Sequence, residues 1–112
     1  MPIMEISLVP IGTASSSISR LVAESEKVLA ETPPLKRMVT AMGTIVESGS
    51  VHDLLQTAEK MHQTMLDSGV KRVVTHITID DRRDKEGSIV NKVESVLKKT
   101  RWEEPLRKGA VR

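Results

Sequence analysis

The feature that most narrows the choice of fold is an ordered change of hydrophobic period along the chain. Side chains repeat every two residues on a strand and every 3.6 residues on a helix, so the spacing of apolar residues tells which element a segment can form. Ile3 to Ile11 alternates, with Met4, Ile6 and Leu8 on one side and Glu5, Ser7 and Val9 on the other, and it ends at Pro10 and Gly12. Ser15 to Glu31 changes to helical spacing. Its stripe is Ile18, Leu21, Val22, Val28 and Leu29, with Ser15, Ser16 and Ser17 as candidate N-caps and Pro33-Pro34 beyond its end. Two short β-prone runs follow, Lys36 to Ala41 and Thr44 to Glu47, joined at Met42-Gly43, where glycine gives the backbone freedom for a reversal or a bulge. Ser50 with Asp53 three residues on has the pattern of a capping box. It opens a helix whose stripe is Val51, Leu54, Leu55, Ala58, Met61 and Met65, with Gly69 at the left-handed position after its end. Arg72 to Asp80 alternates again, Val73, Thr75, Ile77 and Ile79 against Val74, His76 and Thr78. After a charged turn, Ser88 caps a third helix with the stripe Ile89, Val90, Val93, Val96 and Leu97.

The order β-α-β-β-α-β with a further short C-terminal helix predicts a ferredoxin-like α+β fold, a four-stranded antiparallel sheet with both long helices on one face. A chain of 112 residues and 12.4 kDa has room for one core. Residues 1–100 read as that domain and residues 101–112, basic and without periodicity, as a tail. The strands carry apolar residues on both faces: opposite Met4, Ile6 and Leu8 lie Ile3, Val9 and Ile11, and opposite Val73, Ile77 and Ile79 lie Val74 and the methyl group of Thr78, while the helices cover only one face. A bare apolar face of that kind is unusual on a monomer, so a homodimer or homotetramer is expected.

Composition removes whole classes of function. The chain has one Trp, no Phe and no Tyr, so no aromatic platform exists to stack a base or cage a quaternary ammonium. Absence of cysteine excludes disulfides, thiolate metal sites and cysteine nucleophiles. The net charge of +2 comes from interspersed acids and bases, which demands no nucleic-acid partner. No apolar run approaches the roughly 20 residues of a membrane span, and the N-terminal stretch lacks the pattern of a signal peptide. A cytoplasmic protein without a membrane partner is expected.

Catalytic spacings are missing as well: no glycine-rich phosphate loop, no His-Glu-x-x-His and no Gly-x-Ser-x-Gly. His52 and His62 share a helix but lie ten residues apart, about 80° from facing the same way, and His76 is mid-strand. No metal or cofactor is expected. Three segments carry more information. Pro10-Ile11-Gly12-Thr13 with Ser15 to Ser17 ends a strand and opens a helix, where backbone N–H groups and hydroxyls can hold an anion or a polar ligand as well as cap the helix. Met42-Gly43-Thr44-Ile45-Val46-Glu47 sets a carboxylate three residues after a hydroxyl, either a site or an exposed hairpin end. Arg72 to Asp84 finishes in alternating acids and arginines, the usual look of a solvated ion-pair network.

Pro10-Ile11-Gly12-Thr13 after an opening strand, Met42-Gly43-Thr44 leading to Glu47, and Arg72-Val73 leading through Asp80-Asp81-Arg82 to Lys92-Val93 together resemble the YkoF-like thiamine-binding protein family, over about Met1 to Leu97. The resemblance implies a ferredoxin-like fold, dimers that pair into tetramers, binding of thiamine or its hydroxymethylpyrimidine part, and no enzymatic activity. An aminopyrimidine offers a ring nitrogen beside an exocyclic amino group, which a carboxylate can engage through charge-assisted hydrogen bonds. Glu47 is the candidate for that role, with Thr44, Thr13 and Ser16 as hydroxyl partners if the pocket lies between the first helix and the hairpin. Two other readings compete: a structural or regulatory module whose bare sheet docks another polypeptide, and a small enzyme using His76 or Glu47 as base, which lacks a visible nucleophile–base pair.

Overall fold

The two alternating runs pair with each other along their whole length. In the computed structural model, which describes residues 1–14, 18–31 and 36–100, β1 (Ile3–Ile11) runs antiparallel to β4 (Arg72–Asp80), from Ile3 opposite Asp80 to Ile11 opposite Arg72. The other edge of β1 takes β3 (Thr44–Glu47), and β2 (Lys36–Val39) completes an antiparallel sheet of order β2-β3-β1-β4. With α1 (Ser19–Ala30) after β1 and α2 (Val51–Asp67) between β3 and β4, this is the ferredoxin-like arrangement the periodicity predicts.

Alternation decides which residues meet the helices. Met4, Ile6 and Val46 bury against Val28 and Leu29 of α1 and Leu54, Ala58 and Met61 of α2, with Leu8 and Ile79 packed around them. Each such side chain stabilises the fold by roughly 1.5–3 kcal/mol relative to exposure. Unbranched Met4, Met61 and Met65, all fully buried, do the gap-filling that aromatic rings do in other cores.

Several details differ from the sequence expectation. Leu55 is 47% exposed, while Thr57 and Ser25 are fully buried in the helix–helix layer. Both hydroxyls donate back to a carbonyl of their own helix, Thr57 Oγ1 to Asp53 O and Ser25 Oγ to Val22 O at 2.9 Å. With the polar atom satisfied, a small side chain suits the close approach of two helices. The N-cap of α1 is Ile18, without a side-chain cap; Ser15, Ser16 and Ser17, like Pro33-Pro34 and the tail 101–112, lie outside the described residues. At α2 the cap is as expected, Ser50 Oγ accepting from Asp53 N at 3.1 Å. The reciprocal bond of a capping box is replaced by Ser48 Oγ on Asp53 Oδ2 at 3.4 Å. Gly69 has φ +99° after α2, as read from the sequence.

The short α3 (Ile89–Thr100) starts on the sheet face opposite α1 and α2. Ser88 Oγ accepts from Asn91 N at 3.0 Å, Ile89 is buried beside the β1 end where Ile3 is also buried, and Lys92 Nζ reaches Asp80 Oδ2 at 2.6 Å. The rest of that face stays open, with Glu5, Val9, Ile11, Arg72, His76 and Thr78 exposed.

Candidate functional site

Of the four residues expected to meet a ligand, the structure describes three and brings no two of them together. Ser16 lies outside the described residues. Thr13 sits in the turn after β1, in the wall of a cleft bounded by the start of α1 and the turn after α2. Thr44 and Glu47 begin and end β3; three residues apart on a strand, they point to opposite faces. Thr44, on the helix face, is buried and donates its hydroxyl to Glu26 Oε1 of α1. Glu47, 3% exposed on the other face, accepts the Ile89 N–H at 3.0 Å, with Lys36 Nζ 3.9 Å from its second oxygen. A carboxylate there satisfies the start of α3 and complements its positive end.

Next to Thr44 the sheet has a step. β3 pairs with β1 only as far as Ile6 opposite Thr44, while β1 continues to Ile11 with β4 as its partner. The notch, bounded by α1 on the helix side and by the β2–β3 turn, is a cavity of about 300 Å³. Ile6, Leu8, Ile18, Val22 and Met42 give it an apolar wall, and Glu26 and Thr44 are among its polar residues, with Ser7 and Thr40. The turn itself is drawn tight by Thr40, whose Oγ1 donates to Gly43 O at 2.9 Å and accepts from Gly43 N at 3.1 Å and Met42 N at 3.2 Å. Gly43 is needed there for a reason other than the expected one. Its φ is not in the left-handed region, but a Cβ on it would stand 2.9 Å from the Ile6 carbonyl oxygen, in β1. At the mouth, Val39 and Met42 are 61% and 83% exposed, apolar surface left beside the opening.

Glu26 is the residue that the sequence reading passed over. Its Oε1 takes the Thr44 hydroxyl, and its Oε2 is cut off from solvent without a hydrogen-bond partner among the described residues. No cation among them pairs with it either. A buried, unsatisfied carboxylate oxygen costs about 1–3 kcal/mol or more, so one in a cavity wall calls for a donor supplied from elsewhere. The signal was present in the sequence: Ile18, Val22 and Glu26 follow at i, i+4 and i+8, which puts a carboxylate in line with an apolar stripe. Among the described residues, no group of three or more His, Asp or Glu side chains is arranged to hold a metal ion, and no helix is long and apolar enough to cross a membrane.

Comparison with known proteins then bears on this cavity. The family model described as thiamine-binding protein matches residues 4–97. The chain belongs to that family. Its relatives include the UPF0045 protein YqgV of Bacillus subtilis, 39% identical over 102 residues and covering 88% of this chain and 96% of the relative. The crystal structure of MJ1052 from Methanocaldococcus jannaschii, 34% identical, superposes with a TM-score of 0.77 over 85% of this chain and 94% of that one. A Thermotoga maritima protein, TM0486, named for a proposed part in thiamine biosynthesis or salvage, gives a TM-score of 0.70 over 85% of this chain and 97% of its own. At 18% identity that likeness speaks for the fold alone. Both family motifs nearest the notch fall on turns that shape it or adjoin it, Met42-Gly43-Thr44 in its wall and Pro10 to Thr13 just past its far end.

Proposed function

We propose that this protein binds thiamine or its hydroxymethylpyrimidine part in the notch between α1 and the β2–β3 turn, without catalysing a reaction. The observation that carries this reading is Glu26 Oε2, unpartnered among the described residues, in the wall of a mostly apolar cavity, in a chain of the thiamine-binding family. A carboxylate with no cation beside it among the described residues favours a ligand that brings donors or positive charge. An aminopyrimidine brings its amino group and a ring nitrogen that can be protonated, and thiamine adds a cationic thiazolium. Thr44 holds the Glu26 carboxylate from behind, and Ile18, Val22 and Met42 supply contact to the ring in place of stacking. Without an aromatic platform, affinity in the micromolar range, about −8 kcal/mol, is expected.

Isothermal titration of wild type and Glu26→Gln with thiamine and with hydroxymethylpyrimidine tests this. Replacing the carboxylate by an amide removes a charge-assisted hydrogen bond while keeping an acceptor for Thr44, and affinity should fall about tenfold or more. Equal affinities would remove Glu26 from the site, and no binding by wild type would remove the reading itself.

The open sheet face supports self-association into a homodimer or homotetramer in the cytoplasm. Val9 and Ile11 are 39% and 40% exposed on it, and neighbouring β4 contributes Val74, opposite Val9. Sedimentation should show a species larger than the monomer at micromolar concentration, and Val9→Asp should shift it toward smaller ones; a monomeric wild type would contradict this.

A further inference from the structure

The largest cavity described, about 540 Å³, lies on the other flank of α1's first turn, and neither the core nor the Glu26 notch uses it. Two chain reversals form its walls. One is the turn after β1, with Gly12 at φ +80° and Thr13; the other is the turn after α2, with Ser68 and Gly69 at φ +99°. Arg20 from the first turn of α1 and Lys71 from just before β4 border the same space, and no carboxylate among the described residues does. Some basic groups on this surface have acidic partners, Lys27 with Glu24, Arg82 with Asp84 and Lys92 with Asp80. Arg20 and Lys71 form no salt bridge among the described residues. They border one cleft from separate elements, so a negative charge placed between them is attracted by both.

The third contribution comes from the helix itself. α1 has no acidic residue in its first turn, and its N-cap is Ile18, which offers no side-chain acceptor. With no acidic residue in that first turn, the positive end of the helix dipole adds to the two cations. Glu47 at α3 and Ser50 at α2 show what this protein does where a helix start is satisfied internally.

We propose that this cleft is a binding site for a phosphate-class dianion, either free phosphate or the phosphomonoester end of a small molecule, held by Arg20 and Lys71 against the two glycine turns. The guanidinium suits two oxygens of a tetrahedral anion and the lysine supplies a movable point charge. The site is separate from the Glu26 notch and of opposite sign, so it does not depend on pyrimidine binding there.

The test is a titration of the 15N-labelled full chain, followed by the amide signals of Gly12 and Gly69, with inorganic phosphate in one arm and glycerol phosphate in another. Sodium chloride at matched ionic strength serves as the control. Saturable shifts at both glycines, absent with chloride, are expected. Arg20→Gln or Lys71→Gln should raise the half-saturating concentration about threefold and the double variant about tenfold. Both residues are exposed and form no ion pair among the described residues, so these variants should fold like wild type, which their unshifted remaining spectrum would verify. Saturation by both phosphates points to the free anion as ligand, and saturation by the ester alone to a phosphorylated small molecule. Shifts that are linear or matched by chloride, or a double variant that titrates like wild type, would overturn the site.

Discussion

Two carboxylates sit on either side of β3, and their oxygens have different lives. Glu47, on the face toward α3, is held by the Ile89 N–H at 3.0 Å and approached by Lys36. Glu26, on the face toward α1, has one oxygen on the Thr44 hydroxyl and the other buried without a partner among the described residues. The sequence makes Glu47 the more conspicuous of the two, because it ends a strand in a family motif. Geometry reverses that ranking. A carboxylate already used by the fold has little to offer a ligand, whereas one left short of a donor is poised for one, and the protein bears that cost in stability.

The largest effect expected from breaking this contrast is at Glu47. Glu47→Ala strands the Ile89 N–H at a buried helix start and removes packed atoms, which should cost about 1–3 kcal/mol. In a domain of this size that lowers the melting temperature by about 4–12 °C. Pyrimidine affinity of the folded fraction should stay within about twofold, because the side chain lies on the far face of the sheet. A tenfold loss of affinity at unchanged stability would invert the assignment of the two residues.

Glu26 should respond with the opposite sign. Glu26→Met keeps the length of the side chain, replaces an unsatisfied oxygen by an apolar group in a largely apolar wall, and frees one hydroxyl, Thr44, of its acceptor. The first two changes stabilise and the third opposes them, so a net gain of up to about 1 kcal/mol is expected, together with loss of pyrimidine binding. Chemical denaturation with an unchanged slope would measure it. Destabilisation as large as that of Glu47→Ala would mean that Glu26 is a structural group after all.

How far the sequence could be read follows from the range of the interactions involved. Strand alternation and helix stripes are local patterns, so β1, α2, β4 and the caps at Ser50 and Ser88 emerged nearly to the residue. Thr57 and Ser25 were passed over because their burial depends on a hydroxyl finding its own helix carbonyl, which polarity alone hides. Gly43 was noticed, but its reason, the carbonyl of Ile6 in another strand, is a tertiary contact. The bond from Ile89 to Glu47 spans 42 residues, and nothing near either residue announces it. Glu26 was legible as a charge in line with Ile18 and Val22, yet amphipathic helices are ordinarily read for their apolar residues and the exception is easily missed.

The smallest effect concerns the second anchor of α3. Besides the buried Glu47 contact, α3 is tied by the exposed pair of Lys92 and Asp80, 2.6 Å apart. The hydrogen bond from Lys92, and then its charge, hold the Asp80 carboxyl below its ordinary 3.8. In the next turn the hydrogen bonds from Arg82 hold Asp84 down to about 2. A carboxyl whose value is depressed in the folded state contributes stability above its unfolded value, and that contribution disappears as pH falls through the folded one. The window for Asp80 therefore lies below about pH 4, and near neutrality the pair is fully formed. Solvent on both partners screens it, so Lys92→Ala at pH 7 should shift the melting temperature far less than Glu47→Ala does. A carboxyl-carbon titration should show Asp80 moving back up toward 3.8 in that variant while Asp84 stays near 2. A stability loss at pH 7 equal to that of Glu47→Ala would show that α3 is held by its exposed ion pair and that the buried carboxylate is secondary.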